Sequence, residues 1–129
     1  MAISLLGILL TAAVSWDVID RWSLARATRL AESHLTRARL RALASRSKVE
    51  VRSNGRWLEL REPPGALVGR IDIGTGSGLV DSIRLRPAVL RFNSRGQGSP
   101  GSLYLYRGRR GMRVISNFLG RVRSIPFRT

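Results

Sequence analysis

Residues 1–16, MAISLLGILLTAAVSW, carry no charge, and from Asp17 to about Ser47 there is neither proline nor glycine. Few sequences keep helix breakers out for so long, and the second part also has a helical period. Leu24, Thr28, Ala31, Leu35, Ala38 and Ala42 recur at spacings of three and four, whereas Arg26, Arg29, Glu32, Arg37 and Arg41 fall off that stripe. One helix over residues ~3–46 would be about 65 Å long at 1.5 Å per residue. Its stripe is small and alanine-rich, as suits close packing on a sheet. A small domain has no use for so long a helix, so the first half is expected to sit in lipid or in a bundle.

Three readings of residues 1–16 compete. A cleaved secretory signal would want a basic start, which is missing, and Thr11-Ala12-Ala13 is only a passable cleavage site. A buried core helix is out of place at the beginning of a chain. A membrane anchor fits best, because the apolar run continues without a break into the amphipathic stretch, although 16 residues fall short of the ~20 that span a bilayer. Ile3, Leu5, Leu6, Ile8, Leu9 and Leu10 would then be its membrane or filament-packing residues.

Beyond Ser47 the period changes to two. Val49 and Val51 alternate with Glu50 and Arg52, and Asn54-Gly55 is a strong hairpin signal. Leu58 and Leu60, Ile71 and Ile73, Ile83 and Leu85, the set Ala88, Leu90 and Phe92, and Leu103 and Leu105 are expected to point inward. Tyr104 and Tyr106 face the other way. Pro63-Pro64-Gly65, residues 96–101 and Gly108-Arg109-Arg110-Gly111 read as breaks or turns. Met112–Ser116 and Arg121–Ile125 close the chain. About seven short strands after one helix predict an α+β fold: a long N-terminal helix packed on a small antiparallel β domain. The expected division is an apolar segment 1–16, an amphipathic continuation 17–47 and a β domain 48–129.

Composition removes most chemistries. The chain of 129 residues has no cysteine and one histidine, which excludes thiolate and multi-histidine metal sites, cysteine nucleophiles and most histidine catalysis. No catalytic residue, metal or cofactor is expected, nor any small-molecule substrate. His34 reads as a surface or edge residue of the helix. Asp17 and Asp20 read as helix-solvating residues at the membrane edge. Gly74-Thr75-Gly76-Ser77-Gly78 lacks the Lys-Ser/Thr ending of a phosphate loop and no helix comes after it, so it reads as a flexible β-loop.

The charge is lopsided: 23 Lys+Arg against 8 Asp+Glu give +15, and only Lys48 is lysine. Asp81 is the last acid. After it come Arg84, Arg86, Arg91, Arg95, Arg107, Arg109, Arg110, Arg113, Arg121, Arg123 and Arg128, interleaved with Phe92, Tyr104, Tyr106, Phe118 and Phe127. Such a surface draws polyanions, and arginine pairs with phosphate in bidentate fashion; the plain alternative is a solvated face.

The close Arg113-Val114-Ile115-Ser116, a turn and Gly120-Arg121-Val122-Arg123 resembles that of the GspH/FimT-type minor pseudopilins. The stretch Leu90-Arg91-Phe92-Asn93-Ser94-Arg95-Gly96 resembles that family's strand and loop before it. Leu35–Leu43 resembles its amphipathic helix, and Leu6-Gly7-Ile8-Leu9 the middle of a pilin-type membrane segment. The resemblance implies a pilin-like fold and a non-catalytic minor subunit of a type II secretion pseudopilus or type IV pilus. It implies a single pass of the bacterial inner membrane, a periplasmic β domain, and other pilins or pseudopilins as partners. In some pilus-associated members a Gly-Arg-x-Arg motif is associated with DNA binding during uptake. Its matching positions are Gly120, Arg121 and Arg123, with Arg109, Arg110 and Arg113 as further candidates for contact with double-stranded DNA. A family start would also place a basic leader, Gly-Phe and a glutamate ahead of the apolar run. The run is short and lacks a basic flank, so Met1 is expected to be an internal methionine with roughly seven mature residues before it. A periplasmic enzyme released by signal cleavage is disfavoured, because no nucleophile–base pair is visible.

Overall fold

The computed structural model describes residues 2–54, 57–63, 65–73 and 78–129, with side chains from Val18 onward. A single helix, α1 (Ala2–Ser45), runs through both the uncharged and the amphipathic stretch. At 44 residues it is about 66 Å long. The side chains of Ile3, Leu5, Leu6, Ile8, Leu9 and Leu10 lie outside the described residues, as does Met1. Among the described residues no helix is long and apolar enough to cross a membrane.

Eight strands come next among the described residues: β1 (Val49–Asn54), β2 (Trp57–Glu62), β3 (Ala66–Asp72), β4 (Ser82–Arg86), β5 (Val89–Phe92), β6 (Gly101–Arg107), β7 (Arg110–Ser116) and β8 (Val122–Arg128). They form two four-stranded antiparallel sheets, ordered β3-β2-β1-β5 and β4-β6-β7-β8. Asn54 pairs with Trp57 across the hairpin expected at Asn54-Gly55; Gly55 itself lies outside the described residues, as do residues 74–77 of the glycine-rich loop.

The helix buries the expected stripe. Leu24, Thr28, Ala31, Leu35, Ala38 and Ala42 are all buried, joined by Ala27. Alanine at four of these positions holds the helix close to both sheets, so Leu35 reaches a core built from Val49, Val51, Leu58, Leu60, Leu90 and Phe92 of the first sheet and Leu85, Leu103, Leu105 and Val114 of the second.

Several expectations change. Ala88 is exposed, because β5 begins only at Val89, two residues after the cis Arg86–Pro87 bond. Arg110 and Gly111 belong to β7, so the turn is only Gly108-Arg109, and β8 continues to Arg128. Ile73 is buried, but just past the end of β3. His34 is not a surface residue. It is 1 % exposed, and neither ring nitrogen has a hydrogen-bond partner. Burial first, and then the charge of Arg37, lower its pKa to about 4, so it is neutral at pH 7. Asp20 does more than solvate a helix: its Oδ1 accepts a 2.8 Å hydrogen bond from Arg107 Nε, which ties α1 to the end of β6.

Candidate functional site

The second sheet has two unlike faces. Antiparallel pairing puts partners on the same side, so Leu85, Leu103 and Val114 point toward α1. The opposite side then carries Arg84 and Arg86 of β4, Ser102, Tyr104 and Tyr106 of β6, Gly111, Arg113 and Ile115 of β7, and Arg123, Ile125 and Phe127 of β8. No acid stands among these positions. The register Arg84↔Tyr104↔Arg113 and the register Arg86↔Ser102↔Ile115↔Arg123 place four exposed arginines around Tyr104 and Ile115.

The floor of this face is ordered. Tyr104 and Tyr106 stack at 6.4 Å, and Phe127 stands edge-on to both at 5.9 and 5.5 Å. Gly111 makes room for that ring, since a side chain at 111 would occupy the place of Phe127. Arg113 donates from Nε to Ser102 Oγ at 3.0 Å and lays its guanidinium over Tyr104 at 5.6 Å. Its planar group is thereby held against a rigid platform.

Beyond one end of the sheet lie two turns of the same design, Asn93-Ser94-Arg95-Gly96 and Asn117-Phe118-Leu119-Gly120. In each, the glycine N–H donates to the asparagine carbonyl at 2.9 Å, and the residue after the glycine donates to Asn Oδ1, Gln97 at 3.0 Å and Arg121 at 2.9 Å. The asparagine N–H returns to the carbonyl of Gln97 or Arg121. The glycines have φ of +76° and +79°, a region that L side chains avoid. Gly98 N–H donates to Phe118 O, and Arg39 of α1 donates from Nε to Gly96 O at 3.1 Å, so the two turns and the helix lock together. A Cβ on Gly120 would come within 2.7 Å of both Arg39 Cδ and Gly96 O. Gly120 therefore serves the turn that presents exposed Arg121.

The candidate DNA residues are spread out. Gly120 and Arg121 sit at the level of Arg39. Arg110 lies at the other end of the sheet, lining a groove with Arg21 of α1, and Arg109 is in the adjoining turn. Eighteen helical residues, about 27 Å, separate Arg21 from Arg39. Arg113 and Arg123 occupy the face between. The structure thus joins Arg113 and Arg123 to Arg84 and Arg86, which the motif does not contain; the alternation of Ile83 and Leu85 with these two arginines was the available signal. Arg39 was also missed as a neighbour of the motif, and no sequence pattern announces it. Among the described residues no cluster of side chains could hold a metal ion.

Comparison with known proteins agrees with this architecture. The family model for GspH, type II transport protein, matches residues 27–120, from the buried stripe of α1 to the second Asn-x-x-Gly turn. Among solved structures the chain is similar to the type IV minor pilin FimU of Pseudomonas aeruginosa strain PAO1. For the P21 crystal form the TM-score is 0.67 at 18% identity, covering 82% of this chain and 90% of that one. For the P65 form it is 0.64 at 18% identity, covering 80% and 93%. No curated protein sequence matches. The FimU likeness shows a pilin-like fold, and because the family model spans most of the sequence, the chain belongs to the GspH family of type II transport proteins.

Proposed function

We propose that the chain is a non-catalytic minor pseudopilin, a structural subunit of a type II secretion pseudopilus or a type IV pilus-like filament. The observation that carries this reading is the helix. Counting from Val18, its first buried residues are Ser23 and Leu24, while Val18, Ile19 and Trp22 are exposed. The part from Ala2 to Trp22 is 21 residues and about 32 Å long. In this reading residues 1–16 enter the inner membrane or the filament core, the exposed apolar side chains at 18–22 meet neighbouring subunits, and the β domain stands in the periplasm. Fractionation tests it. The full chain should stay in the membrane pellet after an alkaline carbonate wash, and a chain lacking the first 25 residues should be soluble, folded and β-rich. A full chain released by carbonate, or a truncated chain that melts without cooperativity, would contradict it.

A second reading, a DNA-binding minor pilin, is favoured by one observation: the acid-free arginine face with its turn-mounted Arg121. Duplex DNA should bind with little sequence preference and a steep salt dependence. Changing Arg121 and Arg123 to Gln should flatten the log–log salt slope by about two units, ~0.9 per lost phosphate contact. A double variant that matches wild type in a gel-shift series would remove both residues from the interface.

A further inference from the structure

Ten large apolar side chains are exposed among the described residues, and four of them belong to one unit, the C-terminal part of α1 with the turn Asn117–Gly120. Leu40, Phe118 and Leu119 are 58, 57 and 57 % exposed, and Leu43 is 39 % exposed. Single exposed apolar residues are ordinary on a protein surface, but a group of them marks a contact. The unit is rigid. Arg39 Nε donates to Gly96 O, Gly98 N–H donates to Phe118 O, and Gly120 lies against Arg39. Leu43 closes it from the helix side, since a Cβ on Gly96 would stand 3.1 Å from the Leu43 side chain. A patch held this way costs a partner little ordering. Arg95 and Arg121 stand exposed on the two turns beside it. Neither guanidinium reaches a carboxylate among the described residues. No acid occurs in either turn or in α1 from Leu35 to Ser45, and Glu62, which does approach this part of α1, is bound by Arg41.

We infer that this patch docks a different protein subunit through an apolar ridge flanked by Asp or Glu. The ridge packs on Leu40, Leu43, Phe118 and Leu119, and the carboxylates pair with Arg95 and Arg121. Charge selects the occupant. A second copy would bring its own net +15 to a basic patch. Among its eight acids, Asp20, Glu50, Glu59, Glu62 and Asp81 are already held by arginines or by a backbone N–H. Nucleic acid would meet the two arginines through its phosphates but leave Leu40, Leu43 and Leu119 against water. Lipid is out of reach of this end of the domain, because Leu43 lies 27 residues, about 40 Å, along α1 beyond Trp16. That distance from the membrane, and the filament that supplies the partner, rest on the pseudopilin reading above. Docking here joins subunits through their β domains, far along α1 from the exposed side chains at 18–22.

A photoreactive benzoylphenylalanine in place of Phe118 tests the docking in the full chain, in cells that build the filament. The same residue in place of Val18 serves as a reference on the helix, and in place of Leu119 as a second position should the label at 118 disturb the turn. Irradiation should join position 118 or 119 to one other subunit, and peptide mapping should place the adduct beside clustered Asp or Glu. The double variant Arg95→Glu, Arg121→Glu should cut the adduct about tenfold or more, because like charges then face each other. Changing the mapped acids to Arg in the partner should restore it. No adduct at either position, an adduct with a second copy or with nuclease-sensitive nucleic acid, a mapped segment free of acids, or a yield indifferent to the charge reversal or unrestored by the swap would overturn the site. An adduct from Val18 with none from 118 or 119 removes the patch and leaves the filament reading standing. Silence at all three positions counts against both.

Discussion

The two sheets have the same number of strands and share one helix, yet they handle charge in opposite ways. In the β3-β2-β1-β5 sheet arginines meet carboxylates. Arg52 and Arg91 both reach Glu50, Arg61 reaches Glu59, and Arg41 of α1 reaches Glu62. The hydrogen bond from Arg52 lowers the pKa of Glu50 despite the cost of partial burial. Burial pushes the Glu59 carboxyl up, but Arg61 and Asn54 together outweigh it and leave that pKa below its ordinary value. The β4-β6-β7-β8 sheet contains seven arginines and no acid in its strands. Arg107 turns back to Asp20 on α1, whereas Arg84, Arg86, Arg113 and Arg123 stand on the outer face. The first sheet uses its charge within the fold, and the second holds charge where an outside polyanion can meet it. The strands of the second sheet thus carry seven of the chain's net +15 with no acid among them.

The contrast should break most visibly in DNA binding. Changing Arg84, Arg86, Arg113 and Arg123 together to Gln should flatten the salt slope by about 3.6 units, at ~0.9 per contact. The matched change of Arg52, Arg61, Arg70 and Arg91 should move it by less than about one unit. Equal slopes for the two quadruple variants in gel-shift titrations would erase the distinction between the sheets.

Acid should expose the interior next. The pKa of His34 is about 4 in the fold and near 6.5 when unfolded, so between those values the unfolded chain binds the extra proton. Stability is thus fully present above pH 6.5 and falls as pH drops toward 4, by about 3 kcal/mol in all. Glu50 and Glu59, whose pKa values are lowered, add a further loss of stability when they are protonated in acid, and this loss falls on the first sheet. His34→Leu should remove the first loss and leave the second, which denaturant melts at pH 7, 5 and 3.5 would separate. A variant with the wild-type pH profile would place the titration elsewhere.

A smaller effect should arise at the turn that carries Arg121. Gly120→Ala should cost about 1–3 kcal/mol, because it adds a Cβ at φ +79° against Arg39 and Gly96 O. Asn117→Ala should cost about 1 kcal/mol, through the lost hydrogen bond from Arg121 N–H. Thermal melts check both, and a Gly120→Ala variant as stable as wild type would mean that the glycine serves something other than the turn.

The helix was legible because a stripe of small and apolar residues at helical spacing leaves few alternatives, and the strand faces were legible wherever alternation was clean. His34 falls on the buried stripe by position, three after Ala31, but its residue type argues for the surface; packing overrode polarity there. Arg39 and the Asp20–Arg107 pair were hidden for another reason, since the first crosses 57 residues to Gly96 and the second 87. The motif Gly120-Arg121-x-Arg123 was readable, but the grouping with Arg109 and Arg110 was not. In sequence the two clusters are separated only by β7, yet a strand from Arg110 to Ser116 carries the chain about 20 Å, from one end of the sheet to the other.

The central claim, that α1 of this GspH-family chain assembles with other pilin-like subunits, is tested most directly by a cysteine placed on its exposed surface. The chain has no native cysteine, so Val18→Cys creates a unique thiol. Expressed in cells that build the filament and then oxidised, this variant should be recovered as a disulfide with a partner subunit carrying a cysteine on its own helix. A cysteine at Arg109, on the β6–β7 turn, should give little. A Val18→Cys chain that stays monomeric while its filament forms normally would contradict the account.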